Sequence, residues 1–240
     1  MRHNPPGHRT GLSRHGQEAM VIPIESENLG SRVYRAVKGM IISGELRSGE
    51  KLGQEELASK LGVSRTPLLF ALTKLEQEKL IETLPRRGAS VCRYSHKDLL
   101  DIYDIRCRLE PLAARDAVAN ATTEDIDILA RLLDDFDVAA QGGNSQAVKA
   151  ADYEFHMELM RASGNRFLSD MLSTANIIII GNTKGLLKPA MVSSVEHRQL
   201  LAALRERDAA RAERIMFEHV DGARAKLASS DTYLLDPAEP

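Results

Sequence analysis

Four side chains in the second half of the chain are of types that bind divalent metal ions. Asp152 and His156 are four residues apart in a helical pattern, so both project from one helix face about one turn apart. Such a pair can supply two ligands to one ion. His197 and His219 belong to two other predicted helices, and spacing alone does not show that they converge with the pair. A histidine in a helix is more often a packed or surface residue than a ligand.

The composition of the 240-residue chain favours two helical domains. Apolar residues make up 43% of the chain, aromatic residues only 4%, and Trp is absent, which suits a core of aliphatic side chains between helices. The two cysteines, Cys92 and Cys107, lack the spacing of a disulfide framework or a zinc site and suit reduced thiols. No apolar run approaches the roughly 20 residues of a membrane span. We therefore expect a cytoplasmic protein with no membrane partner.

The charge is divided unevenly along the chain. Residues 1–94 hold 15 Lys and Arg against 10 Asp and Glu, a net of +5. Residues 95–240 hold 17 against 24, a net of −7. A basic first half suggests a polyanionic partner for that half alone, although a charge of this size is also found on ordinary protein surfaces.

Residues 28–94 have the element order of a winged helix-turn-helix, with three helices and a β-hairpin wing. The patterns predict helices over 31–43, over 54–61 and from the cap Ser64 to about Lys79, followed by strands at 80–84 and 89–93. In such a domain the N-terminal residues of the third helix reach the major groove, which here means Ser64, Arg65 and Thr66. Arg65 suits a bidentate contact with guanine. Arg86 and Arg87 at the hairpin tip suit phosphate or minor-groove contacts.

The rest of the chain is predicted to be an all-α domain over residues 95–230. Six helical segments can be drawn, roughly at 96–120, 123–140, 145–162, 166–180, 193–206 and 208–228. The run from Ile177 to Ile180 is interpreted as core or dimer interface. Residues 1–27 and 231–240 are expected to be flexible tails.

The first of these domains resembles the DNA-binding domain of GntR-type bacterial regulators. The resemblance covers residues 30–94 and rests on ELA, LGVSRTP, AL..LE and RRGA.V in the family's order and spacing. One departure concerns the recognition helix. Where the family usually has Arg and Glu, this chain has Leu69 and Phe70. This pair could instead contact a thymine methyl group or a partner surface.

The second domain resembles the FCD effector domain of the FadR subfamily, over residues 96–228. The similar stretches are RCRLEPLAAR, DYEFH, SGN and EHRQLLAALRERD, with His219 in the last helix. The resemblance implies that Asp152, His156, His197 and His219 bind one divalent ion, for which Zn or Ni suits the ligand set. It also implies a small carboxylate effector. Arg106 is a candidate to bind that effector or to form an ion pair with a neighbouring helix, and Asn176 is a second candidate.

These resemblances lead to a hypothesis of a homodimeric, ligand-responsive regulator, most often a repressor in this group, that binds a palindromic operator in double-stranded DNA. A second hypothesis is a regulator whose metal is itself the signal or is only structural. A third is a metal-dependent hydrolase, in which the ion activates water. The third requires a general base at the metal, and Glu154 and Glu158 lie near Asp152 in sequence but point elsewhere or lie one turn further on.

The replacement of an arginine by Leu69 should weaken phosphate anchoring. We predict that Leu69→Arg makes the logarithm of operator affinity fall more steeply with the logarithm of salt concentration, by about one unit per added phosphate contact. Fluorescence anisotropy across a salt series measures this slope. Equal slopes for the variant and the natural protein would contradict the prediction.

Overall fold

Nine helices and three short strands form the part of the chain that the computed structural model describes, namely Met1 and residues 28–84, 88–183 and 186–229. Their order is α1 Leu29–Ser43, β1 Lys51–Leu52, α2 Gln54–Leu61, α3 Arg65–Gln77, β2 Ile81–Leu84, β3 Gly88–Val91, α4 His96–Asn120, α5 Thr123–Gln141, α6 Ser145–Ala162, α7 Arg166–Asn182, α8 Ala190–Arg205 and α9 Ala209–Ser229. The expected fold class, a winged helix-turn-helix followed by six helices, is confirmed. Within the described residues, no helix is both long and apolar enough to span a bilayer.

The first three helices pack around a small aliphatic core. The buried stripe of α3 consists of Leu68, Ala71, Leu72 and Leu75, as the helical spacing predicts, and it faces α1. The strands form an antiparallel sheet in the order β1-β3-β2, so the hairpin β2–β3 is the wing. Strand β1 was not predicted, because two residues are too few to create an alternating pattern.

Four helices of the helical domain begin at residues whose side chains cap them. Ser95 and Thr122 each form a capping box with the aspartate three residues later, at the starts of α4 and α5. Asn144 and Asn165 cap α6 and α7. Helix α4 lies along α9, and α5 lies between α6 and α8. Large side chains such as Phe136 and Phe155 fill the interior.

Helices α1 and α8 begin earlier than the sequence predicts, α1 at Leu29 rather than at 31, whereas α3 begins at Arg65 as predicted. Helix α8 begins at Ala190 rather than at 193, because Pro189 takes the N-cap position where a missing N–H costs nothing. Ser64 occupies the N-cap position of α3, but its side chain makes no capping hydrogen bond. The wing tip, residues 85–87, lies outside the described residues, and so do the predicted contacts Arg86 and Arg87.

The winged helix packs directly on the helical domain. Helix α1 contacts α6 and α7. Gln146 Nε2 on α6 donates a hydrogen bond to the carbonyl oxygen of Ser43, at 2.7 Å. At the end of α7, Asn182 Oδ1 accepts hydrogen bonds from Ser48 Oγ at 2.7 Å and from the Tyr94 N–H at 3.3 Å. The two domains therefore meet through specific polar contacts.

The aromatic ring of Phe70 lies against the start of α1. A β-carbon built on Gly30 would be only 2.6 Å from Phe70 Cδ1. Gly30 therefore leaves the space in which the ring packs.

We predict that Gly30→Ala is less destabilising in a Phe70→Ala background than in the natural protein, with a difference of about 1–3 kcal/mol in the free energy of unfolding, the usual cost of overpacking. The helix preference for Ala over Gly is the same in both backgrounds and cancels in this comparison, so the difference reports the crowding of the new methyl group by the ring. Urea denaturation followed by circular dichroism measures the difference. Gly39→Ala is the control, because a β-carbon there meets nothing within 4 Å and should act equally in both backgrounds.

Candidate metal centre and ligand cavity

Three histidine side chains converge in the interior of the helical domain. His156 comes from α6, His197 from α8 and His219 from α9, and all three are buried. One ligand atom from each lies within 4.8 Å of the others. The Nε2 atoms of His197 and His219 are 3.3 Å apart. Two nitrogens about 2.1 Å from a shared zinc ion would be separated by about that distance.

The carboxylate of Asp152 faces the same space. Its oxygens lie 3.9 Å from His156 Nε2 and 3.9 Å from His197 Nε2. These distances are too long for hydrogen bonds but suit ligands on a common ion. Burial raises the pKa of Asp152, while His156 and Arg106 oppose that rise. A cation between the carboxylate and the rings would favour its charged form.

A carboxylate lies behind two of the rings. His156 Nδ1 is 2.8 Å from Glu110 Oε2, although the two groups are not aligned as a hydrogen bond. His219 Nδ1 is 2.7 Å from Glu196 Oε2. A proton on Nδ1 facing each carboxylate leaves Nε2 as a free lone pair, the arrangement in which histidine ligates a metal.

The carboxylates of Glu110 and Glu196 each form an ion pair with a cationic side chain. Arg106 Nε donates to Glu110 Oε1 at 2.5 Å inside the bundle. Burial would raise the pKa of Glu110, but Arg106 and His156 lower it overall. Lys188, before α8, pairs with Glu196 and donates to the carbonyl oxygen of His219 at 2.9 Å. These charged pairs fix the two carboxylates and, through them, the orientation of the rings.

The imidazole rings can act as neutral ligands. Burial lowers the pKa of both His197 and His219 well below the usual value, and the neighbouring histidines lower it further. Among the described residues, His156 Nε2 is a buried nitrogen without a hydrogen-bond partner. An unpaired buried polar atom is costly. A divalent ion bound by the three Nε2 atoms and Asp152 would satisfy it, so these residues fit a metal ion.

A cavity opens beside this cluster, with about 550 Å³ of space including its mouth. Cationic and amide side chains contribute to its lining, and Asp152, His156 and His219 line it too. The nitrogen-bearing lining residues outside the cluster are Arg106, Lys149, Asn176 and Lys188. Asn176 is buried, and its Nδ2 lacks a hydrogen-bond partner among the described residues. The lining therefore offers donors to an anionic ligand.

The candidate effector residues can now be located. Both Arg106 and Asn176 line the cavity. The ion pair of Arg106 is formed with Glu110 on its own helix, not with a neighbouring helix as the alternative interpretation had it. Ile179 lines the cavity although the isoleucine run was interpreted as core or dimer interface. Helix α7 therefore presents one side to the core and another to the cavity.

Several residues of this site were not found from the sequence. Glu196 precedes His197 directly, but adjacent helix positions point in different directions and only the fold brings Glu196 to His219. Lys188 lies in a segment that was interpreted as a break between helices. Lys149 lies one turn before Tyr153 on α6 and resembles any surface lysine in sequence. Its Nζ in fact donates to the carbonyl oxygen of Thr183 at 2.7 Å.

The predicted DNA-contacting residues lie apart from the cavity. Ser64, Arg65 and Thr66 are exposed at the N-terminus of α3. Arg65 Nη2 is 3.4 Å from Gln54 Oε1 at the start of α2. These side chains are accessible from solvent and therefore to a polyanion.

Comparison with known protein families supports this division. Residues 29–91 match the family described as "Bacterial regulatory proteins, gntR family", and residues 101–222 match the FCD domain. The uncharacterized HTH-type transcriptional regulator YdhC of Bacillus subtilis (strain 168) is 33% identical over 147 residues. That match covers 61% of this chain and 66% of the relative, just under two thirds of its length.

Two further proteins extend the likeness over more of the chain. The HTH-type transcriptional repressor GlaR of Escherichia coli (strain K12) is 28% identical over 210 residues, which cover 78% of this chain and 90% of the relative. The solved structure of E. coli McbR/YncC covers 85% of this chain and 98% of its own, with a TM-score of 0.76 at 24% identity, and shows the shared fold.

The matched family is one of regulatory proteins, and YdhC and GlaR are named as transcriptional regulators, so the hydrolase hypothesis is not supported. The same family assignment explains the winged helix, which an enzyme would leave without a role. From the two matched domains, the chain belongs to the GntR family of bacterial regulatory proteins and joins a GntR DNA-binding domain to an FCD domain.

Proposed function

We propose that this regulator is a repressor whose FCD domain binds one divalent metal ion and one small carboxylate, and that the carboxylate changes operator affinity. The observation that carries the proposal is the convergence of three buried histidines and Asp152 beside a cavity lined by donors. The repressor assignment follows the name of GlaR, a relative over most of its length. Because the DNA partner lies in the bacterial cytoplasm, we expect the protein there.

The metal ligands in this proposal are Asp152, His156, His197 and His219. One carboxylate and three imidazoles suit zinc or nickel. When bound, the ion would supply coordination positions for a ligand carboxylate. Glu110 and Glu196 position two of the rings from behind, and they in turn are fixed by Arg106 and Lys188.

The balance of charge favours an anionic effector. The cavity lining has three cations, Arg106, Lys149 and Lys188, against one carboxylate, Asp152. Glu110 and Glu196, behind the lining, bring the balance of these groups to about neutral. A bound divalent ion would make it positive. A small organic acid that bears one carboxylate or more would restore neutrality in a site where unpaired charge is costly.

DNA binding is assigned to Ser64, Arg65 and Thr66 on α3 and to Arg86 and Arg87 in the wing. Two such domains in a homodimer would bind the two halves of a palindromic operator.

Exposed apolar side chains favour an interface on the FCD domain. Phe167 and Met171 on α7 are 64% and 62% exposed and lie one turn apart. Ile105 on the neighbouring α4 is also exposed, and such patches mark interaction surfaces.

Helix α7 is the proposed route from the cavity to the DNA-binding domain. Its middle contributes Asn176 and Ile179 to the cavity, and Thr183 directly after it also lines the cavity. Its last residue, Asn182, is buried and accepts hydrogen bonds from Ser48 and Tyr94, while its Nδ2 donates to the carbonyl oxygen of Ile178. An effector that favours one position of α7 would thereby favour one position of the winged helix.

The decisive experiment is an operator-binding assay on native protein that compares metal-loaded, chelated and acid-treated samples, with lactate, succinate and citrate as the acids. His156→Ala should abolish the response of operator affinity to chelation and to the acids. If neither chelation nor His156→Ala changes DNA binding or the acid response, metal-dependent sensing is ruled out.

Metal affinity itself should depend on the carboxylate behind His156. We expect Glu110→Gln to weaken zinc or nickel binding by about 10- to 100-fold, because a neutral amide no longer favours the ligating ring orientation. Competition with a chromophoric chelator measures the affinity, and circular dichroism confirms that the variant folds. Glu154→Gln is the matched control, since Glu154 is exposed on the same helix as His156. Equal affinities of the two variants would contradict the role given to Glu110.

Removal of the Asn182 contact should separate sensing from DNA binding. We predict that Asn182→Ala retains metal affinity but loses most of the effect of chelation or acid on operator affinity, an effect that is typically 5- to 150-fold in allosteric proteins. Ser48→Ala removes the same contact from the other domain and should act likewise.

Ser173→Ala is the control for this prediction. Ser173 is partly exposed on the same helix, and its hydroxyl donates only to the carbonyl oxygen of Asp170 among the described contacts. An unchanged response in both Asn182→Ala and Ser48→Ala would show that the effector signal does not pass through this contact.

A further inference from the structure

The outer face of the recognition helix carries an exposed leucine that the core does not use. The buried stripe of α3, with Leu68 and Leu75 at its centre, faces α1, and Leu69 is 41% exposed beside it. An isolated exposed leucine needs no explanation on most surfaces. Here it lies one helical turn after Arg65, on the helix to which the proposed function assigns DNA binding.

The neighbouring contacts define which part of α3 remains open. On one flank, Lys74 Nζ lies 4.2 Å from the ring centroid of Tyr34 on α1, and Phe70 packs against Gly30 at the start of the same helix. On the other flank, Arg65 reaches Gln54 on α2. The face between the two flanks is therefore the one available to DNA.

At about 100° of rotation per residue, this open face contains Thr66, Leu69 and Thr73. All three side chains are exposed. Leu69 is closest in angle to Arg65, whereas Phe70 is turned toward α1. Between the two apolar residues that distinguish this helix, Leu69 is thus the one that can reach a base next to the base contacted by Arg65.

An aliphatic side chain has one specific partner in the major groove. The C5 methyl group of thymine is the apolar feature on the base-pair edges there, and apolar side chains distinguish thymine by contact with it. We propose that Leu69 is a specificity-determining residue that contacts a thymine methyl group adjacent to the base recognised by Arg65. This inference rests on the proposed DNA-binding role of α3 and adds the base that Leu69 selects.

The contact would have a distinct dependence on salt. The cationic Arg65 side chain releases counterions when it enters the field of the DNA phosphates, whereas a leucine–methyl contact releases none. Substitution of Leu69 by alanine should therefore lower operator affinity with no change in salt slope. Arg65→Ala should lower both.

The test begins with selection of operator sequences from random duplex DNA by the full-length protein. Each thymine of the selected half-site is then replaced singly by deoxyuridine, which removes only the C5 methyl group. For the natural protein, we expect one position next to the selected guanine to lose affinity on the order of fourfold, the value of one buried methyl group. Leu69→Ala should bind the thymine and deoxyuridine operators equally.

Two variants act as controls on the same helix. Phe70→Ala should retain the deoxyuridine penalty, because its ring faces α1. Thr73→Ser, which removes the methyl group of another threonine on the open face, should also retain it. Circular dichroism and thermal unfolding establish that each variant folds.

Three results would overturn the inference. They are a penalty that persists in Leu69→Ala, a penalty abolished by Thr73→Ser instead, and the absence of any penalty in the natural protein. If the natural protein selects no sequence at all, the proposed DNA-binding role of α3 fails, and the assignment of Leu69 fails with it. Sequence selection without a methyl penalty leaves that role intact and rejects only the contact.

Discussion

Three imidazole rings and a carboxylate share one small volume in the interior of the helical domain, beside a cavity that they partly line. A helix bundle built from aliphatic side chains gains stability by excluding water, so each polar group inside needs a partner from the chain or from a bound ion. Glu110 and Glu196 partner two of the rings from outside the cluster. Among the remaining ring nitrogens, the Nε2 atoms of His197 and His219 face each other at 3.3 Å and His156 Nε2 has no hydrogen-bond partner among the described residues, an arrangement that a shared cation would stabilise.

This requirement explains the arrangement of the surrounding helices. The proposed ligands come from α6, α8 and α9 and their positioning carboxylates from α4 and α8, so the cluster forms only if these helices keep their register. Arg106 on α4 is buried beside Glu110, and Lys188 is buried beside Glu196. The cations that balance the carboxylates also line the cavity. Ring orientation and ligand recognition therefore depend on the same charged pairs.

The sequence predicted the helices and strands well but predicted poorly which side chains of different helices come together. Capping residues such as Ser95, Thr122 and Asn144 fix helix starts through local hydrogen bonds. These caps can be predicted because they involve only residues that are neighbours in the sequence. Convergence of His156 with His219 depends on packing between helices that are far apart in the chain. The resemblance to the FCD domain supplied it; periodicity did not. The sheet contact of β1 and the role of Lys188 were missed for the same reason, since neither leaves a local pattern.

Helix α7 has consequences for how regulators of this kind can diverge. The side chains that line the cavity come from its middle and from other helices, whereas the contact to the winged helix is made by Asn182 at its end. Replacement of Asn176 or Ile179 could alter which acid fits without disturbing the amide that meets Ser48. After gene duplication, substitutions in the cavity could therefore change which metabolite is recognised while the contact to the winged helix stays the same. Ligand specificity and the DNA-binding response can in this way evolve separately.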